Sequence, residues 1–327
     1  RREDPRLITG KGTYVDDITL PRLMHVALVR SPHAHALIRN VDVSAAAAVP
    51  GVERVFTGAE LQEQLGSLPA GWVLSDMNAP PHPPLAFEKV RYVGDAVAAV
   101  VAGNPYVAQD ATELVRVDYE VLDNETDAER ATKTGAPQLH DEAPDNTSFE
   151  WEVHSEDQGY EAAAKKADVV VKQRLVNQRL IPNAMEPRGV VADFNTGTEQ
   201  LTIWTSTQIP HLVRLLFSAV TGHPEHKVRV IAPEVGGAFG SKLYLYAEEV
   251  ILGMIAKNLE RPVKWIESRQ ENFIATTHGR DHISDAEICG NRDGTITGLK
   301  VHVYANLGAY LSTFAPGIPT VLFGLML

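Results

Sequence analysis

Three glycines fall within five positions in Val235-Gly236-Gly237-Ala238-Phe239-Gly240-Ser241-Lys242, directly after the β-branched run Val228-Arg229-Val230-Ile231. That order describes a strand ending in a loop of bare backbone, which a ligand can approach more closely than any side-chain-bearing turn allows. Two common ligand loops are excluded. The Walker pattern needs two glycines four residues apart and then Lys before Ser or Thr, whereas Ser241 precedes Lys242 here. The dinucleotide spacing of Gly, any, Gly, any, any, Gly is also unmet. Upstream, Thr205-Ser206-Thr207-Gln208-Ile209-Pro210-His211 joins the strand pattern Leu201-Thr202-Ile203-Trp204-Thr205 to a helical run from Pro210 to Val220. Both motifs therefore sit at strand ends, where α/β proteins collect their sites.

A chain of 327 residues that is 44% hydrophobic can bury a real core and suits two domains of about 100–200 residues each. Its net charge of −12 argues against nonspecific nucleic-acid binding, which depends on Lys and Arg at phosphates, and against an anionic membrane surface. With Cys289 as the one cysteine, the chain alone builds no disulfide, four-cysteine zinc site or iron–sulfur cluster, and such low use suits a reducing cytoplasm. The start at Arg1-Arg2-Glu3-Asp4, without Met or an apolar signal region, and the apolar finish Ile318 to Leu327 read as the N-terminal piece of something larger. The finishing run is too short for a membrane span, which takes about 20 apolar residues; the competing reading packs it on the chain's own core.

The pattern along the chain is α/β. His25 to Arg30 and Val52 to Thr57 read as strands around an alanine helix capped by Ser44 and stopped by Pro50-Gly51, a β-α-β unit. Asp95 to Ala102 is a buried strand, Tyr106 to Leu114 a helix, and Val115 to Val121 another strand, closing a first domain at 1–122. Residues 123–148 are acidic with little apolar periodicity and read as a surface linker. The second domain, 149–327, opens with a helix over Tyr160 to Ala167 and a strand over Val169 to Val176. It continues with a helix over Leu243 to Lys257 and a strand over Arg261 to Glu267, and two strands flank the turn at Asp293-Gly294.

Gln208, just before a helix, can aim its amide at a ligand, while Ser206, Thr207 or Gln208 can equally cap that helix with Pro210 in its first turn. The glycine loop favours the ligand role. Glu186, in Met185-Glu186-Pro187-Arg188, is conceivable as a general base, yet a structural ion pair, with Arg188 the obvious partner, or a turn is the stronger expectation. His33 and His35 lack a third metal ligand nearby, so packing or solvated roles are expected for them and for His25, His223, His226, His278 and His282. Lys242 either meets an anionic ligand or lies on the solvent face of its helix. Tyr244 and Tyr246 read as core or interface.

Taken together, Arg6 to Asp17, Arg30-Ser31-Pro32-His33-Ala34-His35-Ala36, Tyr92-Val93-Gly94-Asp95-Ala96-Val97-Ala98, Gln208-Ile209-Pro210-His211 and the glycine loop resemble the molybdenum-containing large subunit of the xanthine oxidase family. The carbon monoxide dehydrogenase-like branch is the most similar. The resemblance implies a mixed α+β chain: an N-terminal α/β hammerhead domain, then the first part of a molybdenum-pterin-binding α/β domain. In that family a pterin dithiolene holds the metal, so no direct protein ligand is needed. Gln208 would hydrogen-bond an oxygen ligand of the metal, and the loop Gly236, Gly237, Ala238, Phe239 and Gly240 would pack against metal and pterin. The implied reaction is hydroxylation of carbon monoxide, an N-heterocycle or an aldehyde with water-derived oxygen. The implied cofactor is molybdopterin cytosine dinucleotide, with [2Fe-2S] clusters on a small subunit and FAD on a medium subunit. A dimer of heterotrimers, completed by the C-terminal remainder of the large subunit or a second chain, is the implied assembly.

The family's general-base Glu belongs to a C-terminal motif outside these residues, so no catalytic base is assigned and Glu186 is not given that role. Purine-oxidising members place Glu after the loop's Lys, and Leu243 stands there instead, which disfavours xanthine. Ala238 replaces a glycine frequent in this loop, a change tolerated unless φ is positive. Two rivals stay open: a non-catalytic binding or assembly protein built from the same half, and a nucleotide-phosphate binder using Gly236 to Lys242.

Overall fold

The computed structural model describes residues 2, 4–155 and 159–323; the expectations that touch Arg1, Glu3 and Gly324 to Leu327 lie outside them. The strands are β1 (Met24–Arg30), β2 (Ala36–Asp42), β3 (Val52–Thr57), β4 (Lys89–Val90), β5 (Ala96–Ala102), β6 (Arg116–Val121), β7 (Val169–Asn177), β8 (Gly189–Asn195), β9 (Gln200–Thr205), β10 (Val228–Ile231), β11 (Val263–Ile266), β12 (His282–Gly290) and β13 (Ile296–Ala305). The helices are α1 (Asp4–Ile8), α2 (Ser44–Ala47), α3 (Gly58–Leu61), α4 (Pro105–Thr112), α5 (Ala128–Ala131), α6 (Tyr160–Lys166), α7 (Pro210–Thr221), α8 (Ala247–Leu259) and α9 (Arg269–Ala275). The chain is the mixed α+β protein that its patterning implies.

One seven-stranded mixed sheet, in the order β10-β9-β8-β11-β1-β5-β3, organises the molecule, and two three-stranded sheets, β13-β12-β7 and β4-β2-β6, flank it. β5, paired antiparallel to β1 and to β3, is buried at every position because its alternate residues enter separate core clusters, Ala99 and Val101 in one and Ala98 and Val100 in the other. A strand covered on both faces reads as the continuous apolar run seen at Ala96–Ala102. The expected β-α-β unit is thus split, its two strands lying on either side of β5. Ser44 is also not a cap: it is the first helical residue of α2, and its amide donates to Asp42 Oδ1 at 2.9 Å.

The large sheet takes β1, β3 and β5 from before residue 122 and β8 to β11 from after residue 149. β1 joins the two groups by pairing parallel to β11 at Met24↔Val263 and His25↔Lys264. The segment at 123–148 is tied to the rest of the chain: Arg91 Nε donates to the Leu139 carbonyl at 3.3 Å, Asn78 Nδ2 donates to that of Thr147 at 3.1 Å, and His140 and Ala143 are buried.

The core lies where α8 crosses the sheet, with Val250, Ile251, Leu252, Ile255 and Trp265 all buried. α7 packs beside it and stops at Gly222, whose φ of +67° supplies the left-handed cap that glycine adopts without strain. β12 and β13 form the expected hairpin, through a loop in which Asn291 donates to Thr295 and Gly294 takes a φ of +91°. Among the described residues no helix is long and apolar enough to cross a membrane.

Candidate functional site

β9 and β10 run parallel in register, from Val228↔Leu201 to Ile231↔Trp204, so the segments that leave their C-terminal ends emerge side by side. This topology brings Gln208 to the glycine loop, 30 residues further along the chain. The Gln208 amide donates to the Lys242 carbonyl at 2.9 Å, and the Gly240 amide donates to Gln208 Oε1 at 3.2 Å. The side-chain carbonyl of Gln208 is thereby engaged with the loop. Its amide nitrogen, on an exposed side chain that accepts no capping role, is left to donate outward.

The loop is shaped by glycine where glycine is required. Gly237 and Gly240 sit at φ +100° and +89°, and Phe239 itself is left-handed at +52°. Ala238 is not among the positive-φ residues, so its methyl carries no backbone strain. At Gly236 the constraint is contact: a Cβ there would lie 2.6 Å from the Cβ of Glu186. Among the described residues no protein acceptor meets the amides of Gly237, Ala238 and Phe239. Three successive free N–H groups in a backbone of mixed handedness are the elements from which anion-binding nests are built. A bare backbone, unpaired amides and the outward amide of Gln208 fit an oxygen-rich metal-pterin group.

Glu186 forms the structural ion pair expected of it, but with Lys242 in place of Arg188. Its Oε2 accepts from the Gly236 amide at 2.7 Å, the Ser206 hydroxyl at 2.7 Å and Lys242 Nζ at 3.1 Å. Lys242 also departs from both roles expected for it. It is 3% exposed, which removes the solvent-face alternative, and Nζ spends its donors on the Glu186 carbonyl, Glu186 Oε2 and Ser206 Oγ. No donor remains for a phosphate, which counts against the nucleotide reading. Burial lowers its ammonium pKa, and Glu186 opposes that shift. The helix that follows begins at Ala247, not Leu243, because residues 241–244 turn and bend and Tyr246 is extended: Ser241 donates to the Ala238 carbonyl, and the Tyr246 hydroxyl donates to the Ser241 carbonyl.

Deeper still lies a charged network that no motif announced. Arg188 binds Glu248 at 2.8 Å and Glu267 at 2.7 Å, with its guanidinium carbon 3.9 Å from the centre of the Tyr246 ring. Arg30 of β1 binds the same Glu248 at 2.8 Å and Glu271 at 2.9 Å. Asn272 and Thr276 donate to Glu267 at 2.7 and 3.0 Å. Burial alone would raise the Glu248 carboxyl, but Arg188 and Arg30 overcome it and hold the pKa at about 2. Next in sequence, Glu249 has no cation in contact among the described residues: burial lifts it to about 7, against bonds from the Tyr246 amide and Thr205 Oγ1. The sequence signal for it is the pair Glu248-Glu249 directly before the apolar run Val250 to Ala256.

The histidines take the packing roles expected of them. His33 sits edge-on to Tyr119 with ring centres 5.0 Å apart, His35 Nδ1 meets the Asp123 carbonyl at 2.9 Å, and His223 Nε2 meets that of Glu199 at 3.1 Å. Among the described residues no group of three or more His, Cys, Asp or Glu is placed to hold a metal ion.

Residues 139–327 match the family model of the molybdopterin cofactor-binding domain. Residues 9–123 match that of the aldehyde oxidase and xanthine dehydrogenase a/b hammerhead domain. The chain is 36% identical to the nicotine 6-hydroxylase large subunit of Paenarthrobacter nicotinovorans, with 95% of this chain and 38% of the relative covered. It is 39% identical to the carbon monoxide dehydrogenase large chain of Afipia carboxidovorans, over 95% of this chain and 39% of that one. Among solved structures, quinoline 2-oxidoreductase from Pseudomonas putida 86 superposes with a TM-score of 0.85 at 36% identity, covering 93% of this chain and 38% of the other. The chain thus spans about two fifths of the length of these relatives.

Proposed function

This chain belongs to the xanthine oxidase family of molybdenum oxidoreductases, and from that premise we propose that it forms the cofactor-facing portion of a molybdenum hydroxylase large subunit. The observation that carries the reading is the outward amide of Gln208 beside the unpaired N–H groups of Gly237 to Phe239. When bound, the molybdenum-pterin group supplies redox chemistry that inserts water-derived oxygen into a substrate C–H bond or carbon monoxide and draws off two electrons. The chain's own part is to bind and orient. Gln208 donates to an oxygen of the group, the loop amides seat its anionic edge, and the open space at Gly240, where a Cβ would meet nothing within 4 Å, permits close approach.

The substrate we propose is small and non-purine: carbon monoxide, an N-heterocycle or an aldehyde. Leu243 supports this, since an aliphatic side chain makes no hydrogen bond to a purine edge, and the names of the nicotine and carbon monoxide relatives agree. Molybdopterin cytosine dinucleotide as the cofactor form, [2Fe-2S] and FAD on partner subunits, a dimer of heterotrimers and a cytoplasmic setting complete the proposal. So does the division into 1–122, 123–148 and 149–327, with the general base supplied by a C-terminal segment or chain.

Metal analysis of the full-length protein in its purified complex tests the reading. Stoichiometric molybdenum, with pterin fluorescence after oxidation, is the expected result; an intact assembly without either is instead the non-catalytic binding protein. Gln208→Ala is expected to leave the fold unchanged and to cut turnover by about 10²-fold, the usual cost of one lost transition-state donor. Unchanged turnover would remove Gln208 from the site.

A further inference from the structure

Behind the glycine loop, one carboxylate oxygen gathers donors from two segments that are far from it in sequence. Glu186 Oε2 takes the Gly236 amide at 2.7 Å, the Ser206 hydroxyl at 2.7 Å and Lys242 Nζ at 3.1 Å. Lys242 closes the ring by donating to Ser206 Oγ at 2.7 Å and to the Glu186 carbonyl at 2.9 Å. The donor count is complete: the hydroxyl gives its single proton to the carboxylate and offers a lone pair to the ammonium. The Lys242 side chain is 2% exposed and that of Glu186 18%, so water competes little for these bonds.

The position of the ring gives it a use. Ser206 lies two residues before Gln208, Gly236 opens the loop, and Lys242 lies two residues beyond Gly240. Main-chain bonds extend the ring to both sides, from the Gln208 amide to the Lys242 carbonyl at 2.9 Å and from the Glu186 amide to the Gly236 carbonyl at 3.1 Å. We propose that Glu186, Lys242 and Ser206 form a clasp that fixes the spacing between Gln208 and the glycine loop before any cofactor arrives. They are positioning residues, and their role rests on the reading that Gln208 and the loop hold the molybdenum-pterin group. A buried ion pair adds little net stability over a well-packed apolar pair, because desolvation offsets the Coulomb attraction; what it supplies is one defined geometry. A loop with glycines at 236, 237 and 240 has much conformational freedom to lose, and a loop ordered in advance does not incur that cost when the ligand seats.

The test uses the full-length protein in its assembled complex, with the variants E186Q, K242M, S206A and the neutral double variant E186Q/K242M. Two quantities are measured: amide hydrogen exchange across residues 235–242, and molybdenum content with the metal's midpoint potential followed by electron paramagnetic resonance. The single charge variants are expected to exchange the Gly236 amide about tenfold faster, as loss of a charge-assisted bond implies, and to load severalfold less molybdenum at a shifted potential. S206A is expected to fall between them and wild type. The double variant leaves no unpaired charge, so it should regain the wild-type Tm while keeping fast exchange and low loading. A double variant with native Tm, native exchange and native loading would overturn the clasp, as would native exchange in S206A should the single charge variants fail to fold. If the wild-type complex holds no molybdenum, the cofactor reading falls, while the exchange rates still decide the clasp on their own: faster in the variants sustains it, unchanged rejects it.

Discussion

At Gly236 and Gly240 the same substitution meets two different obstacles. Alanine at 236 puts a methyl 2.6 Å from the Glu186 Cβ, within a segment held on both sides, whereas alanine at 240 meets open space and only the strain of φ +89°. Gly236→Ala is therefore expected to cost about 2–3 kcal/mol and Gly240→Ala about 1 kcal/mol in denaturant unfolding. Equal costs would mean that the loop is not gripped by Glu186. Glu249 supplies a pH dependence of definite sign. Burial raises its carboxyl from an ordinary 4.5 to about 7, so the folded state holds the proton more tightly than the unfolded one. Stability from this group is full below pH 4.5 and is lost as pH rises toward 7. Asp95, also raised to about 7 by burial, adds to the same trend. Glu249→Gln is expected to flatten the fall and to be more stable than wild type at pH 8 by about 1–3 kcal/mol, read from urea midpoints across pH. An unchanged slope would show that Glu249 ionises freely. At this scale the candidate segments around Gln208 and the glycine loop were legible because three glycines fall within five positions and both segments follow strand patterns. The partners of Glu186 and Lys242 were not, since each finds the other across 56 residues through the pairing of β9 with β10 and β8.

Helix α8 shows the limit of reading an element from its own pattern. The apolar run from Leu243 invites an early start, but the structure delays the helix to Ala247, after Tyr246, whose amide donates to Glu249 Oε2 at 2.9 Å. A tyrosine at that position carries none of the side-chain signals by which helix starts are recognised, so the boundary was hidden. β5, α7 and the hairpin at Gly294 were readable, because each rests on local periodicity closed by a glycine or proline. Gly253 makes a sharper case. In an isolated helix Gly→Ala gains about 1 kcal/mol, yet a Cβ at 253 would lie 2.4 Å from Phe217 Cε2, where α8 crosses α7. Gly253→Ala is expected to lower stability by about 1–3 kcal/mol by forcing the two helices apart. A stabilised variant would show that Phe217 can turn aside at no cost.

Across the whole molecule, sequence order and spatial order diverge, and the charged network marks where. Arg30 comes from β1, Glu248 from α8, Arg188 from the position just before β8, Glu267 from the position just after β11, and Glu271 from α9. Gly94 presses the same contact, for a Cβ there would lie 2.7 Å from the Ile274 carbonyl. A chain read from left to right closes its first unit near residue 122, since β6 ends there and acidic residues follow, and nothing local reveals that β1 pairs with β11. A shared sheet and a shared buried network imply that both sides open together. In hydrogen exchange under mild denaturant, the amides of β5 and of β8 and β11 are expected to converge on a single opening free energy. Arg30→Met, which strips one cation from Glu248 and leaves Glu271 unpaired in a partly buried setting, should lower that common value by about 3–5 kcal/mol on both sides of residue 122 alike. If β3 and β5 instead open at a lower energy while β8 to β11 stay protected, and Arg30→Met shifts only the first group, then the first 122 residues are a self-standing unit and the shared sheet is merely a contact between two.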